Sequence, residues 1–534
     1  MSQRGERYDV VVPTTGRPSL EALLAALAAA AGPPPERVLL VDDRRDATRP
    51  LPVAVPPALD GRTFVLRGGG RGPAAARNAG WRAARAPWVA FLDDDVLPSP
   101  AWRADLAADV AALAPDVAGS QGRIRVPLPR ARRPTDWERN VAGLERARWA
   151  TADMAYRRAA LQAVGGFDER FPRAYREDSD IGLRLAARGL VIAQGRRSVT
   201  HPVAPADRWV SLRKQAGNAD DALMDVLHGR GWRESAGAPP GRFARHAATT
   251  AAGALAAGAA LAGGRRAAAA AGAAWLAGTA ELAWARIAPG PRTRQEIAAM
   301  ALTSAAMPTV ATAHRVAGMV RARVLASASD GPRPAPPLAV LVDRDGTLVH
   351  DVPYNGDPRA VAPLPGARAA LDRLRARGIR LALVSNQSGI GRGLLTERQA
   401  QDVMARAVEL LGPFDDVRWC PHAPQDGCAC RKPAPGMLLD AAAALGVDPL
   451  RCAMIGDIGA DMEAARAARM RGVLVPTVVT RAEEVAAAAE RAPSLHAAVE
   501  LLLRAPEPQA GELAELRAPP AAPGAERHAT KAAA

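Results

Sequence analysis

The sequence predicts an α/β protein built of two Rossmann-like α/β/α units joined by an Ala-rich helical segment. Three observations predict it. Short apolar runs alternate with helical patterns from residue 8 to about 235, and a second such alternation starts near 338, the rhythm of mainly parallel sheets covered by helices. Between them alanine dominates, and the segment is helical by propensity. The 534 residues also exceed what one hydrophobic core usually organises.

In the first unit, YDVVVP is followed by an Ala/Leu helix, RVLLVDD, a Gly-rich loop with its helix, and WVAFLDDD. In the second, AVLVDRDG, LALVSN, CAMIGD and VLVP are the strands, with amphipathic helices between them. Unit boundaries fall at 1–235, 236–326, a Pro/Gly-rich linker at 327–337 (SASDGPRPAPP), 338–504, and a tail at 505–534. The tail is rich in Ala, Pro and Glu, a composition expected to stay disordered.

The middle segment contains 18 uncharged residues, Ala247 to Gly264, and a second stretch from Ala267 interrupted only by Glu281. Three readings stay open: a membrane-spanning hairpin, an interfacial or re-entrant helix pair, and a soluble helical linker. Alanine is only marginally apolar, and Arg265 and Arg266 would form the outer turn, against the positive-inside tendency. A third apolar stretch, Ile297 to Ala313, carries Pro308.

The net charge of +15 invites a polyanionic partner, yet only Lys214, Lys432 and Lys531 are lysines among 70 basic residues. No basic run is interleaved with aromatic residues, as single-strand binding requires, so no nucleic acid is expected. Three of the four cysteines fall at metal-ligand spacing, which points to a reducing compartment, and MSQRGERYDVVVP reaches its first strand without an apolar signal core, so the cytoplasm is expected. The helical segment adds the inner face of the cell membrane as a place of attachment.

Asp343 and Asp345 stand two apart at the end of the apolar run AVLV, and so leave the strand on one side. Phosphoryl transfer through a covalent intermediate needs a carboxylate nucleophile and a nearby acid. Ser385 ends a second strand, RKP supplies Lys432, and MIGDIGAD supplies Asp457 and Asp461. A hydroxyl and an ammonium can hold phosphate oxygens while an acidic residue joins Asp343 on Mg²⁺. Alone, each element is also what a solvated loop looks like. Their order at successive strand ends is what carries the chemistry.

Cys420, His422, Cys428 and Cys430 form C-x-H-x5-C-x-C, a donor set suited to a structural Zn²⁺ with no open position. Cys452, inside an apolar strand, reads as a core residue. Residues 338–485 resemble the haloacid dehalogenase superfamily of phosphatases. With SNQSGIGRG, CRKPAPGML and the cysteine loop, they look most like the D-glycero-D-manno-heptose 1,7-bisphosphate phosphatases and next like the histidinol phosphatases. The resemblance implies Asp343 as nucleophile, Asp345 as general acid/base, and Ser385 and Lys432 on the phosphate. It also implies Mg²⁺ on Asp343, Asp345 and Asp457, with Asn386, Arg392 and Arg431 contacting substrate. Asp461 would assist Lys432 or the metal. Ile458 stands where a lysine is common, and HDVPYNGDP departs from the usual wording. About 40 residues separate the first two motifs, too few for a large cap, so an open site is expected.

In the first unit Asp42, Asp43 and Asp93 to Asp95 follow successive strands. Such carboxylates can hydrogen-bond a nucleoside and hold a divalent ion on a diphosphate. Glu177 and Asp178 precede an amphipathic helix, where a carboxylate could either deprotonate an acceptor hydroxyl or cap the helix. VVPTTGRP, LLVDD, GPAAARNAG, FLDDD, GGFDERF and REDSDIGLRL together resemble the family-2 glycosyltransferases of the GT-A nucleotide-sugar fold. That implies Asp43 at the nucleoside, Asp93 and Asp95 on Mn²⁺ or Mg²⁺, and Asp178 as base of an inverting transfer. Arg77 and Asn78 would approach the nucleotide, and His201 the diphosphate, the metal or a structural partner.

The composite expectation is a bifunctional enzyme, a sugar-phosphate phosphatase and a nucleotide-sugar transferase acting on a glycan or lipid acceptor. Another small-phosphomonoester phosphatase beside a sugar nucleotidyltransferase is the alternative. A polynucleotide 3′-phosphatase, or a scaffold with one inactive unit, comes after these.

Overall fold

The computed structural model describes residues 7–327, 331–504 and 514–515. In the first unit the strands are β1 (Tyr8–Thr14), β2 (Val38–Asp42), β3 (Thr63–Arg67), β4 (Trp88–Leu92), β5 (Leu97–Pro98), β6 (Val117–Arg125), β7 (Asp153–Arg157) and β8 (Val191–Thr200). β3, β2, β1 and β4 run parallel side by side. β7 then pairs antiparallel with both β4 and β6, so the sheet is mixed where the sequence reads as mainly parallel. Along β1, Val11 faces one core with Leu39, Val41 and Phe91, and Val10 and Val12 face the other with Leu40 and Trp88. Burial on both faces explains why these strands read as continuous apolar runs.

The second unit holds β9 (Ala339–Val342), β10 (Arg380–Asn386), β11 (Asp416–Cys420), β12 (Cys452–Gly456) and β13 (Arg471–Leu474). They form a fully parallel sheet in the order β11-β10-β9-β12-β13. Val340 and Val342 face one core, Ala339 and Leu341 the other. Cys452 lies in that second cluster, 1% exposed.

Helices Phe243–Leu261, Arg265–Ile287 and Arg294–Ser327 make up the middle segment. The first two pack as an antiparallel pair, with Gly253 under Trp275 and Gly278 under Thr249. The third runs through Pro308 without ending. Among the described residues no helix is long and apolar enough to cross a membrane, which corrects the spanning-hairpin reading: alanine gives helix but little hydropathy. The segment is anchored instead on the first unit through Arg286, which donates to Asp136 Oδ2 and Ser211 Oγ, each at 2.9 Å. The same guanidinium donates to Thr303 Oγ1 at 2.9 Å and Ser304 Oγ at 3.0 Å, and so ties the second and third helices together at that point.

Residues 331–337 lie along helix Arg158–Val164. Ala335 N–H donates to Gln162 O at 2.8 Å, and Arg451 of the second unit donates to the Gln162 side chain at 2.6 Å and to Pro336 O at 3.0 Å. The proline-rich strip thus joins the units by direct contact. The expected disordered tail needs one correction: Ala514–Glu515 form β14, antiparallel to Val65 and Phe64 of β3. An otherwise open sheet edge supplies the backbone partners. The rest of 505–534 lies outside the described residues.

Helix Arg294–Ser327 docks on helix Asn218–His228 at Gly318, where an added methyl would lie 2.5 Å from Cα of Ala219. Gly318→Val should therefore lower stability by about 1–3 kcal/mol through overpacking, read as a drop in the denaturation midpoint of the full chain.

Candidate active sites

In the second sheet the chain leaves β9 towards β10 on one side and reaches β12 on the other. A crevice opens at the carboxyl ends of such diverging strands. Asp343 follows β9, Ser385 and Asn386 close β10, and Asp457 follows β12. Asp461 lies in the first turn of helix Gly459–Ala467.

Lys432 reaches into this crevice. Its Nζ lies 2.5 Å from Asp343 Oδ1 and 2.6 Å from Asp461 Oδ1, and its side chain is 2% exposed. Burial works against the ammonium, but the two carboxylates outweigh it and raise its pKa. Burial, then the charges of Asp461 and Asp345, push Asp343 well above the usual carboxylate range despite Lys432. Burial and the Asp461 charge push Asp457 up to about 6. Oxygens of Asp343, Asp457 and Asp461 all lie within 4.8 Å of one another. Three carboxylates around one lysine leave a negative excess, the donor set of a hard divalent cation.

The sequence places Asp345 among the cation ligands; its carboxylate lies outside this group, and Asp461 takes the third place. Asp345 instead accepts from Arg344 Nε and Nη2, both at 2.9 Å, from Gln387 Nε2 at 3.1 Å and from Ser385 Oγ at 3.3 Å. The neighbouring buried guanidinium of Arg344 holds it there. Asn386 differs too: its side chain holds the Lys432 backbone from both sides, Nδ2 to O at 3.0 Å and N–H to Oδ1 at 3.1 Å. Its amide thus positions the lysine and is already spoken for. Arg431, by contrast, has a buried Nη1 without a hydrogen-bond partner among the described residues. Arg392 sits on the exposed rim, bonding Tyr354 Oη at 2.7 Å.

Several contributors escape sequence reasoning. Thr480 Oγ1 donates to Asp457 O at 2.6 Å, and Thr477 Oγ1 to Asp457 Oδ2 at 3.4 Å. Gln387 and Arg344 hold Asp345. These two stand inside the quoted motifs, so nearness to a motif was their only signal; the threonines lie 20 and 23 residues after Asp457 and had none.

The Cys420, His422, Cys428 and Cys430 ligand atoms also converge within 4.8 Å. Sulfur–sulfur separations are 3.4–3.6 Å and His422 Nδ1 lies 3.3 and 3.5 Å from two thiols. A tetrahedral ion with metal–sulfur bonds of about 2.3 Å has edges of about 3.8 Å, close to these separations, so the four residues fit zinc. This loop touches the site: Gln387 N–H donates to Cys420 O and Gly391 N–H to Pro421 O, each at 2.8 Å.

The first sheet repeats the arrangement, with β1 between β2 and β4 and Asp42, Asp43 and Asp93–Asp95 at the strand ends. Asp43 accepts from Arg71 N at 3.1 Å and Gly72 N at 2.9 Å, tying down the Gly-rich loop. Asp94 takes the buried place, bonding Thr14 Oγ1 at 2.7 Å. Asp95 pairs with Arg17 at 2.9 Å and lies 3.5 Å from His201 Nε2. Asp93 and Asp95 belong to no tight group of three metal-ready side chains among the described residues.

Two sequence expectations need correction here. Arg77 is 2% exposed and spans Asp93 and Glu177, each at 2.8 Å. Asn78, 1% exposed, bonds Phe167 O, Glu169 and Trp81. Both face inward because their helix buries this side, so they brace the site and do not line it. Asp178 stands in the first turn of helix Glu177–Ala186 and accepts from Ser179 N at 2.6 Å. Burial raises its pKa. Burial and the Asp178 charge push Glu177 up to about 8.

Two switch-point sites, one a carboxylate cluster around a lysine and the other a row of strand-end carboxylates beside a braced acidic helix start, define a chain with two catalytic units. Residues 9–178 match the family model of glycosyl transferase family 2, and residues 357–469 that of haloacid dehalogenase-like hydrolase. The chain is an enzyme, and through its second unit it belongs to the haloacid dehalogenase-like hydrolases.

Among its relatives is the D-glycero-beta-D-manno-heptose-1,7-bisphosphate 7-phosphatase of Rhodopseudomonas palustris, 37% identical over 145 residues, covering 25% of this chain and 81% of the relative. The enzyme of that name from Photorhabdus laumondii is 40% identical, covering 28% and 87%. A solved D,D-heptose 1,7-bisphosphate phosphatase from B. bronchiseptica is 32% identical, covering 31% and 97%, with a TM-score of 0.29.

Because the folded pKa of Glu177 is raised from 4.5 to about 8, the folded state binds this proton more tightly than the unfolded chain. The stability that protonation contributes is present below pH 4.5 and is lost as pH rises to about 8. Thermal unfolding should show that slope, and Glu177→Gln should flatten it.

Proposed function

We propose that the second unit hydrolyses the 7-phosphate of D-glycero-D-manno-heptose 1,7-bisphosphate, and that the first transfers a glycosyl group from a nucleotide sugar with inversion. The observation that carries the phosphatase reading is Lys432 held between Asp343 and Asp461 with Asp457 alongside. The names of the relatives supply the substrate and its β anomer.

An oxygen of Asp343 attacks phosphorus and the bond to the sugar oxygen breaks, leaving an aspartyl-phosphate. Asp345, kept off the carboxylate cluster by Arg344 and Gln387, gives the departing oxygen its proton. It then takes a proton from water as the water attacks the acyl phosphate, which restores Asp343 and frees phosphate. Lys432 and Ser385 hold phosphate oxygens, and Arg431 contacts the substrate. Mg²⁺ on Asp343, Asp457 and Asp461 would neutralise phosphate charge. Cys420, His422, Cys428 and Cys430 would hold Zn²⁺, which would stiffen the wall that carries Gln387 and Arg392.

In the transferase, Asp178 deprotonates the acceptor hydroxyl. Its raised pKa, due to burial, brings it closer to that of a base working near neutrality. Arg77 keeps Asp93 and the acidic helix start in register; Asp93 and Asp95 would hold Mn²⁺ or Mg²⁺, which would neutralise charge on the donor diphosphate.

Wild-type protein with Mg²⁺ should release phosphate from the β-heptose bisphosphate in preference to histidinol phosphate and fructose 1,6-bisphosphate, and Asp343→Asn should abolish release. Preference for another phosphate would remove the heptose assignment. Elemental analysis should find one zinc per chain, lost in Cys428→Ser/Cys430→Ser. Asp178→Asn should cut transfer by about 10²–10⁴-fold and leave phosphate release unchanged.

A further inference from the structure

The helix pair Phe243–Leu261 and Arg265–Ile287 has a surface that neither catalytic unit accounts for. From residue 251 to 277 no residue is buried. That stretch is alanine, glycine, leucine and tryptophan throughout, apart from Arg265 and Arg266 at the turn. Leu255, Leu261 and Leu276 are 66%, 91% and 61% exposed. A helix apolar on all faces is ordinarily covered. Its packing partners, each other and helix Arg294–Ser327, leave the outer half of the pair bare.

Charge says what covers it. Residues 243–327 contain nine arginines and two acidic residues, Glu281 and Glu296; Arg286 and Arg315 are buried against Asp136 and Asp225, and Arg265 and Arg266 at the turn are exposed. Glu281 is already paired with Arg242 and Arg245, and Glu296 accepts from the Asp136 backbone. Exposed leucines on either side of the exposed Arg265 and Arg266 suit the headgroup layer of an anionic bilayer, where apolar side chains enter the acyl boundary and guanidinium groups meet phosphate. Because no helix among the described residues is long and apolar enough to cross, the pair would lie in the interface.

We infer that the 243–327 segment docks this protein on an anionic lipid surface, with the turn at Arg265–Arg266 and the leucines around it as the contact. The docked segment then bears directly on the transferase. Helix Arg294–Ser327 packs on helix Asn218–His228, whose Asp221 pairs with Arg176 at 2.8 Å, the residue before Glu177.

The full chain is mixed with phosphatidylcholine vesicles containing about one third phosphatidylglycerol, and with phosphatidylcholine alone, and floated on a density gradient. Wild type should float with the anionic vesicles only. Arg265→Glu/Arg266→Glu and, separately, Leu255→Ser/Leu261→Ser/Leu276→Ser should each weaken binding about tenfold or more, with phosphate release unchanged as evidence of folding. The control Arg359→Glu/Arg398→Glu, equal in charge change but on the phosphatase surface, should bind as wild type does. Absence of flotation, equal loss in the control, or unchanged binding in both hairpin variants would overturn the inference. So would concentration-dependent self-association that the leucine variant abolishes in a protein that ignores vesicles.

Discussion

Buried carboxylates that face one another at the end of a parallel sheet need a counter-charge, and Lys432 is the one the phosphatase unit supplies. Its ammonium touches Asp343 and Asp461, and much of the surrounding structure serves to keep it there. Asn386 clasps its backbone from both sides. The cysteine loop ends two residues before it and is itself bonded to the β10 end. Even so, one ammonium among three carboxylates leaves Asp343 and Asp457 with raised pKa values. An incompletely balanced buried site costs stability on its own and gains most from binding a cation.

The transferase unit solves a similar problem with arginine. Arg77 is buried between Asp93 and Glu177, and its planar fork serves two carboxylates from two different elements at once. The strand-end row and the acidic helix start are thereby held in register across 100 residues of chain. A lysine there would offer a single point of charge and lose one of the two directions.

Between these sites the helical segment and the proline-rich strip are structural parts and more than spacing. Arg286 is rooted in the first unit, and Gln162 and Arg451 bind the strip where the units meet. Fold, order of units and most strand-end acids were legible in the sequence because each depends on local signals: apolar runs buried on both faces, an acid placed directly after them, and a cysteine loop with ligand spacing. The roles of Arg77, Asn78 and Asn386 were not, because a polar residue next to a motif looks the same in sequence whether it faces ligand or core.

The two alternating α/β units, the strand-end carboxylates, Lys432 and the Cys/His cluster could be read from the chain alone, since backbone periodicity and short-range spacing encode them. Folding in three dimensions was needed to turn Asp345 to Arg344 while Asp461 completes the carboxylate group, to bring Thr477 and Thr480 to Asp457, and to lay Ala514–Glu515 along the first sheet. Each of these rests on a partner distant in the chain, or on competition between neighbouring charges, and such competition is settled by distance in the folded protein.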